Sequence, residues 1–226
     1  KTPSHSPALD HRQGGHGQRF EACDALIDTL LVRDAVLAAE DARFYEHSGI
    51  DYKGVLRAGV ANFSGLGSQG ESTITMQVAK NFYLSTEKTL TRKIYEILLA
   101  LKIENLLSKD QILELYMNQI YLGQRAYGFA AASQIYFGKP LAKLSAAEAA
   151  MLAGLPKAPS SFNPVVNPKR AKQRQLYVLR RMREIGYLTE EQHTEAQKAG
   201  LAIKREIDDY KVHGEYVAEM VRQMLH

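Results

Sequence analysis

The positions of the prolines place the strongest constraint on the fold. All seven prolines of this 226-residue chain lie at position 7 or before, or at position 140 or after. Proline removes a helical hydrogen bond and clashes with the preceding turn, so the proline-free stretch 8–139 favours a run of helices. Apolar residues recur at helical spacing over 30–37, 94–106 and 112–117, and strand-like patterns are confined to short stretches near 201–213. The sequence therefore predicts a mainly α protein.

Several helix ends are marked by specific residue types. A serine or threonine followed three residues later by Gln or Glu can form a capping box, in which each side chain satisfies a backbone N–H near the helix start. Three such pairs are Ser108 with Gln111, Ser145 with Glu148, and Thr189 with Gln192. Gly186 follows a basic helix that begins near Pro168, and glycine is the residue that most readily closes a helix.

Length and composition fit one compact domain with a small appended lobe, which we place at about 59–88. Residues 1–29 receive no structural assignment. The net charge of +4 suits an anionic partner but does not choose among nucleic acid, phospholipid and pyrophosphate. Cys23 is the only cysteine, so no internal disulfide is expected. No stretch approaches the length of apolar sequence that spans a membrane.

Glu40 is the first candidate catalytic residue. It ends an apolar helical stretch and is followed closely by Asp41, Phe44 and His47. A carboxylate at such a place is partly desolvated, which raises its pKa and makes it a usable base. The alternative is an ordinary solvent-facing glutamate near a helix end. Taken alone, His47 is more typical of a structural histidine than of a catalyst.

The segment 70–81 is rich in polar side chains that can bind a sugar or a phosphate. If it is helical, one face carries Thr73, Gln77, Lys80 and Asn81. A row of hydroxyl, amide and ammonium groups suits a glycan linked to a pyrophosphate. The alternative is a solvated polar face.

Glu96, the second acidic candidate, lies one helical turn after two cations, Arg92 and Lys93. The simplest interpretation is a set of intrahelical ion pairs worth about 0.3–0.5 kcal/mol. The functional interpretation is a cationic clamp for phosphate, in which the glutamate orients the cations. The basic helix after Pro168 is better explained by a solvated amphipathic face than by nucleic-acid binding.

Together these motifs resemble those of the peptidoglycan glycosyltransferases of family 51, and more narrowly the glycosyltransferase domain of class A penicillin-binding proteins of the 1A type. The family pattern E-D-x-x-F-x-x-H-x-G is met by Glu40, Asp41, Phe44, His47 and Gly49. The pattern G-x-S-T-x-x-Q-Q is met by Gly70, Ser72, Thr73 and Gln77, with Met76 in place of the first glutamine. R-K-x-x-E is met by Arg92, Lys93 and Glu96, and K-x-x-I-L-E-x-Y-x-N is met by Lys109, Ile112, Leu113, Glu114, Tyr116 and Asn118.

The resemblance implies a lysozyme-like helical domain over residues 30–200, with a small membrane-proximal jaw lobe at about 59–88. It implies polymerisation of lipid II into β-1,4 glycan strands with inversion, and release of undecaprenyl pyrophosphate. The expected partners are lipid II, the growing glycan strand, the membrane surface and a transpeptidase domain, but not nucleic acid. Residues 201–226 would begin the linker toward that domain. The expected location is the periplasmic face of the bacterial inner membrane, with the anchor outside this chain.

The resemblance also implies individual roles. Glu40 would be the general base, and Glu96 would support the cationic clamp. A divalent cation such as Mg²⁺ is a candidate cofactor, with no ligands assigned. The residues implied to bind substrate are Asp41, Phe44, His47, Gly70, Ser72, Thr73, Gln77, Lys80, Asn81, Arg92, Lys93, Asn118 and Lys157.

Two other functions fit parts of the sequence. A lysozyme-like hydrolase would cleave glycan and needs an acidic carboxylate, but it has no use for a pyrophosphate clamp. A catalytically silent module that binds glycan or a partner is disfavoured because both glutamates are present. Lys80, Arg92 and Lys93 therefore favour synthesis of glycan over its hydrolysis.

Overall fold

The computed structural model describes residues 30–54, 72–82 and 90–204. These ranges contain the helices α1 Leu30–Glu40, α2 Ile74–Phe82, α3 Leu90–Leu106, α4 Lys109–Gln119, α5 Phe129–Phe137, α6 Ala146–Ala153, α7 Pro168–Ile185 and α8 Glu190–Lys198. Short 3-10 helices cover Phe44–Glu46 and Leu141–Lys143. The described ranges hold no strand, apart from one isolated bridge between Tyr121 and Tyr127. The predicted mainly α class is therefore confirmed.

The predicted helix ends form as the sequence indicates. In each of the three capping boxes, the hydroxyl accepts from the backbone N–H three residues later. The Gln or Glu side chain at that position accepts in return from the backbone N–H of the capping residue. Gly186 follows α7 with a φ of +91°, a conformation that favours glycine. Local sequence therefore sets where α4, α6 and α8 begin and where α7 ends.

Helix α6 forms the centre of the core. Every residue from 147 to 153 is buried, and the helix packs mainly against α1 and α7. Its many alanines allow these neighbours to approach closely, because the distance between helix axes depends on side-chain size at the contact. Helix α2 packs against α3 and α4 in a second group. The C-terminal end of α1, which carries Glu40, is contacted from both groups by side chains of α2 and α7.

Parts of the predicted domain organisation fall outside the described residues. The predicted jaw lobe at about 59–88 is represented only by 72–82, so the lobe stays a prediction. The same holds for the segment 1–29, which includes Cys23, and for most of 201–226. Residues 201–204 are described and do not form a strand. No helix in the described part of the chain is long and apolar enough to cross a membrane.

Gly128 begins α5 in a backbone conformation that other residues avoid. Its φ is +82° with ψ of 156°, and a Cβ there would lie 2.6 Å from the carbonyl oxygen of Asn118. We expect Gly128→Ala to lower the free energy of unfolding by about 1–3 kcal/mol, measured by denaturant titration. Gly138→Ala is the matched control, because Gly138 also has a positive φ, +65°, but its Cβ would meet open space. An equal loss in both variants would contradict a steric requirement at Gly128.

Candidate active site

Glu40 lies at the C-terminal end of α1 with its carboxylate almost enclosed. Its side chain is 10% exposed. The side-chain amide of Gln77 on α2 donates to Glu40 Oε2 at 3.0 Å. The guanidinium of Arg174 on α7 donates to Glu40 Oε1 at 3.4 Å. Each carboxylate oxygen is therefore held from a different helix.

The environment of Glu40 favours its protonated form more than water does. Burial raises the pKa of Glu40 above its ordinary value of 4.5. The hydrogen bond from Gln77 opposes this, as do the positive charges of Arg174 and Lys157. Burial has the largest effect, so the pKa remains raised. A carboxylate with a raised pKa is a stronger base than an ordinary glutamate, as proton abstraction at neutral pH requires.

Gln77 is itself held in place by a buried tyrosine. Tyr116 on α4 is fully buried, and its hydroxyl donates to Gln77 Oε1 at 3.4 Å. Because the amide oxygen receives that proton, the amide nitrogen is the end that faces Glu40. The preceding residue, Met76, is buried in the core with 4% exposure. In this chain the second position of the glutamine pair therefore supplies the amide contact, and the first is filled by an apolar side chain.

Asp41 and His47 fix the start of α2 rather than face solvent. His47 Nε2 lies 3.0 Å from both carboxylate oxygens of Asp41, and the backbone N–H of Ile74 donates to Asp41 Oδ2 at 3.1 Å. Thr73 adds two contacts, because its hydroxyl donates to the carbonyl of Gly49 at 2.6 Å and accepts from the backbone N–H of residue 76 at 3.2 Å. The first turn of α2 is thus anchored to the segment that follows Glu40.

A neighbouring contact ties the same segment to α3 and α4. Phe44 is buried with 1% exposure, and the ammonium of Lys109 lies 4.4 Å from the centre of its ring. Lys109 also pairs with Glu104 at 2.7 Å, and Glu104 accepts from the hydroxyl of Thr75 at 2.5 Å. The burial of Phe44 indicates a packing role, and its predicted contact with substrate stays a prediction.

Glu96 forms the centre of a second charged cluster, on α3. Its side chain is 4% exposed, with Arg92 Nε at 3.1 Å from Oε1 and Lys93 Nζ at 3.3 Å from Oε2. Lys93 Nζ also donates to the hydroxyl of Ser72 at 2.9 Å. The ion pairs expected from the spacing are therefore present, and they hold two cations beside the polar segment that starts α2.

The two clusters meet through one short segment. Ser72 contacts the cationic cluster and Gln77 contacts Glu40, only five positions apart in the chain. The segment 72–77 therefore contacts both the buried carboxylate of Glu40 and one cation of the second cluster, Lys93. This arrangement can accept a proton at one place and bind an anion at another.

Comparison with known proteins identifies the family. The sequence model described as "Transglycosylase" matches residues 25–183, more than half of the chain. The chain belongs to the transglycosylase family. Penicillin-binding protein 1A of Neisseria meningitidis serogroup A is 60% identical over 197 residues, which are 87% of this chain and 25% of that protein. The same protein of Neisseria flavescens is 59% identical over 196 residues, again 25% of its length.

This transglycosylase domain therefore spans about a quarter of the length of these relatives. A crystal structure of penicillin-binding protein 1A from Haemophilus influenzae shares 37% identity over 67% of this chain and 19% of that one, with a TM-score of 0.45. The family predicted from the motifs is confirmed, and with it the enzyme class of a transglycosylase.

The remaining predicted site residues of the transglycosylase domain differ in their placement. Lys80, Asn81, Asn118 and Lys157 are exposed, where a ligand can reach them. Gly70 lies outside the described residues. All the substrate-binding roles stay predictions.

Arg174 is the site residue that sequence reasoning missed. The sequence pattern predicts a solvated basic face on α7, yet the Arg174 side chain is only 9% exposed. One signal was available in the periodicity. Arg174 lies three positions after the buried Ala171 and four before the buried Val178, and therefore on the stripe that faces the core.

The transglycosylase site offers no clear set of ligands for a metal. Both oxygens of Glu96 face cations, an arrangement that suits ion pairing better than binding of a divalent ion. Across the described ranges, no group of three or more His, Cys, Asp or Glu side chains converges to hold a metal. The divalent cation stays a prediction.

Proposed function

We propose that this transglycosylase domain polymerises lipid II into β-1,4 glycan strands with inversion, releasing undecaprenyl pyrophosphate. The observation that supports this most strongly is that one short segment, 72–77, contacts both the candidate base and the cationic cluster. Gln77 holds the buried Glu40, and Ser72 holds Lys93 of the cationic cluster. A glycosyl transfer from a pyrophosphate donor needs a base and a cationic site for the leaving group.

Glu40 acts as the general base. Its carboxylate takes the proton of the 4-hydroxyl of the acceptor N-acetylglucosamine, and that oxygen forms a bond to the anomeric carbon of the donor. The bond from the anomeric carbon to the pyrophosphate oxygen breaks on the opposite face, so the configuration inverts. The pyrophosphate carries away the electron pair. Gln77 fixes the direction in which the carboxylate faces, which lowers the cost of orienting the base for the transfer.

The cations of α3 bind the leaving group. Arg92 and Lys93 are held by Glu96 on their own helix, so they can bind a pyrophosphate without a large loss of side-chain freedom. Positive charge placed where negative charge develops stabilises the transition state. Lys80 and Lys157 are both exposed, and we propose that they also contact the pyrophosphate.

The substrate defines the rest of the setting. Lipid II carries a long isoprenoid chain, so the domain works at a membrane surface, and we place it at the periplasmic face of the bacterial inner membrane. The growing strand is the second partner. The relatives are about four times as long as the matched segment, which leaves room for the proposed transpeptidase domain and for a membrane anchor.

The synthetic reaction is separated from hydrolysis by two parallel incubations. We expect the protein to convert lipid II into long strands and to leave finished, uncrosslinked glycan intact, measured by gel electrophoresis and chromatography of the products. Fragments from finished glycan together with no strand growth from lipid II would favour the hydrolase. Binding of lipid II without any turnover would favour the silent binding module.

A further inference from the structure

We infer that Arg174 is a positioning residue for the proposed reaction. Its guanidinium orients the Glu40 carboxylate and keeps that carboxylate in its charged form. This inference rests on the proposed function for its catalytic meaning but not for its geometry. Arg174 lies 134 positions from Glu40 in the chain and reaches it across the core from α7. The guanidinium is a fixed, fully charged donor, since arginine does not lose its proton in proteins.

Four contacts hold the Arg174 side chain along its length. Its Nε lies 3.4 Å from the carbonyl oxygen of Gly154, at the C-terminal end of α6, where a cation is favoured. Its guanidinium lies 4.6 Å from the centre of the Tyr177 ring and 6.0 Å from that of Phe162. The far end then donates to Glu40. The side chain is therefore fixed before any substrate is bound.

Gly154 leaves room for this path. A Cβ at position 154 would lie 2.8 Å from Cγ of Arg174, closer than side-chain carbons approach. The contact is with the stem of the arginine, so a side chain at 154 would displace the whole group. Gly154 has a φ of −78°, which any residue adopts, so its backbone conformation does not require glycine. Position 154 requires glycine because the Arg174 side chain occupies the space that a Cβ would take.

Arg174 is the main counter-charge of Glu40 among the described groups that face it. Helix α4 contributes Tyr116, whose pKa is raised well above its usual value by burial and by the charge of Glu40. Lys157 follows α6 and is exposed, so solvent screens it. Asp41, the next residue in the chain, carries the same charge as Glu40. Loss of Arg174 would therefore leave the hydrogen bond from Gln77 as the main interaction that opposes protonation of the buried carboxylate.

The test measures the pKa of Glu40 directly. With carboxyl-¹³C glutamate in the full chain, the signal that disappears in Glu40→Gln reports Glu40, and it is titrated from pH 4 to 9. We expect Arg174→Gln to move its midpoint up by about one pH unit or more, because removal of an opposite charge favours the neutral form. We expect Arg174→Lys, which keeps the charge, to restore part of the shift.

Gly154→Ala provides a second variant that changes no charge. It should move the midpoint in the same direction by displacing Arg174, whereas Gly200→Ala, whose Cβ would meet open space, should leave it unchanged. Unchanged midpoints in Arg174→Gln and Gly154→Ala would overturn the inference.

The rate of lipid II polymerisation is followed over the same pH range, and the acidic limb of that rate profile should move with the midpoint of the Glu40 titration. If the wild type does not polymerise lipid II but the midpoints move, the proposed function fails and the positioning of Glu40 by Arg174 stands.

Discussion

Glu40→Gln is expected to lower the rate of lipid II polymerisation by about three orders of magnitude, the typical contribution of a general base. Glutamine keeps the volume of the side chain, and its amide oxygen can still accept from Arg174. It cannot take a proton from the acceptor hydroxyl. The rate is measured under single-turnover conditions with excess enzyme, so that product release does not mask the chemical step.

Binding of lipid II supplies the control for this variant. The cationic cluster of Arg92, Lys93 and Glu96 is separate from the Glu40 carboxylate, so affinity for lipid II should change by less than about threefold. The thermal unfolding midpoint shows that the variant is folded. Polymerisation by Glu40→Gln at near the wild-type rate would show that Glu40 is not the general base.

Asp41→Ala is expected to lower the free energy of unfolding by about 2–6 kcal/mol. The carboxylate of Asp41 is buried and accepts from His47 and from the backbone N–H of Ile74. Its removal leaves two buried donors without their acceptor, at about 1–3 kcal/mol for each. The loss is measured by denaturant titration. Polymerisation should fall as well, since the first turn of α2 positions Gln77 against Glu40.

Asp110→Ala is the matched control for Asp41. Asp110 accepts from the hydroxyl of Tyr45 at 2.8 Å, but this pair is exposed, so the expected loss is less than about 1 kcal/mol. Wild-type stability in Asp41→Ala, together with loss of lipid II binding, would contradict the anchoring role. It would support instead the direct contact with substrate that the motif predicts for Asp41.

Sequence reasoning succeeded where the deciding interaction is local. Ser108, Ser145 and Thr189 bond within three residues of themselves, so their neighbours alone determine the helix starts. The ion pairs of Glu96 with Arg92 and Lys93 follow from helical spacing in the same way. Several motifs in the right order predicted membership of the transglycosylase family. No single motif could have established the family.

Long-range contacts were not predictable from spacing. Gln77 is 37 positions from Glu40, and Arg174 is 134 positions away. Only the packing of α1 against α7, and the hydrogen bond from α2 to the end of α1, bring them together. The direction in which Asp41 and His47 face could not be read from their motif either, because a buried pair and a pair in a cleft have the same spacing. The periodicity of α7 did place Arg174 among core positions, yet an arginine there has no obvious partner until Glu40 is seen beside it.

The pH dependence of lipid II polymerisation tests the assignment of Glu40 most directly. A base works only when it is deprotonated, so the rate should fall as the pH drops through the pKa of Glu40. Burial raises that pKa, and the acidic limb of the wild-type profile should therefore lie above the ordinary value of 4.5. The small residual rate of Glu40→Gln should lack this limb. A wild-type limb at or below 4.5, or the same limb in the glutamine variant, would contradict the account.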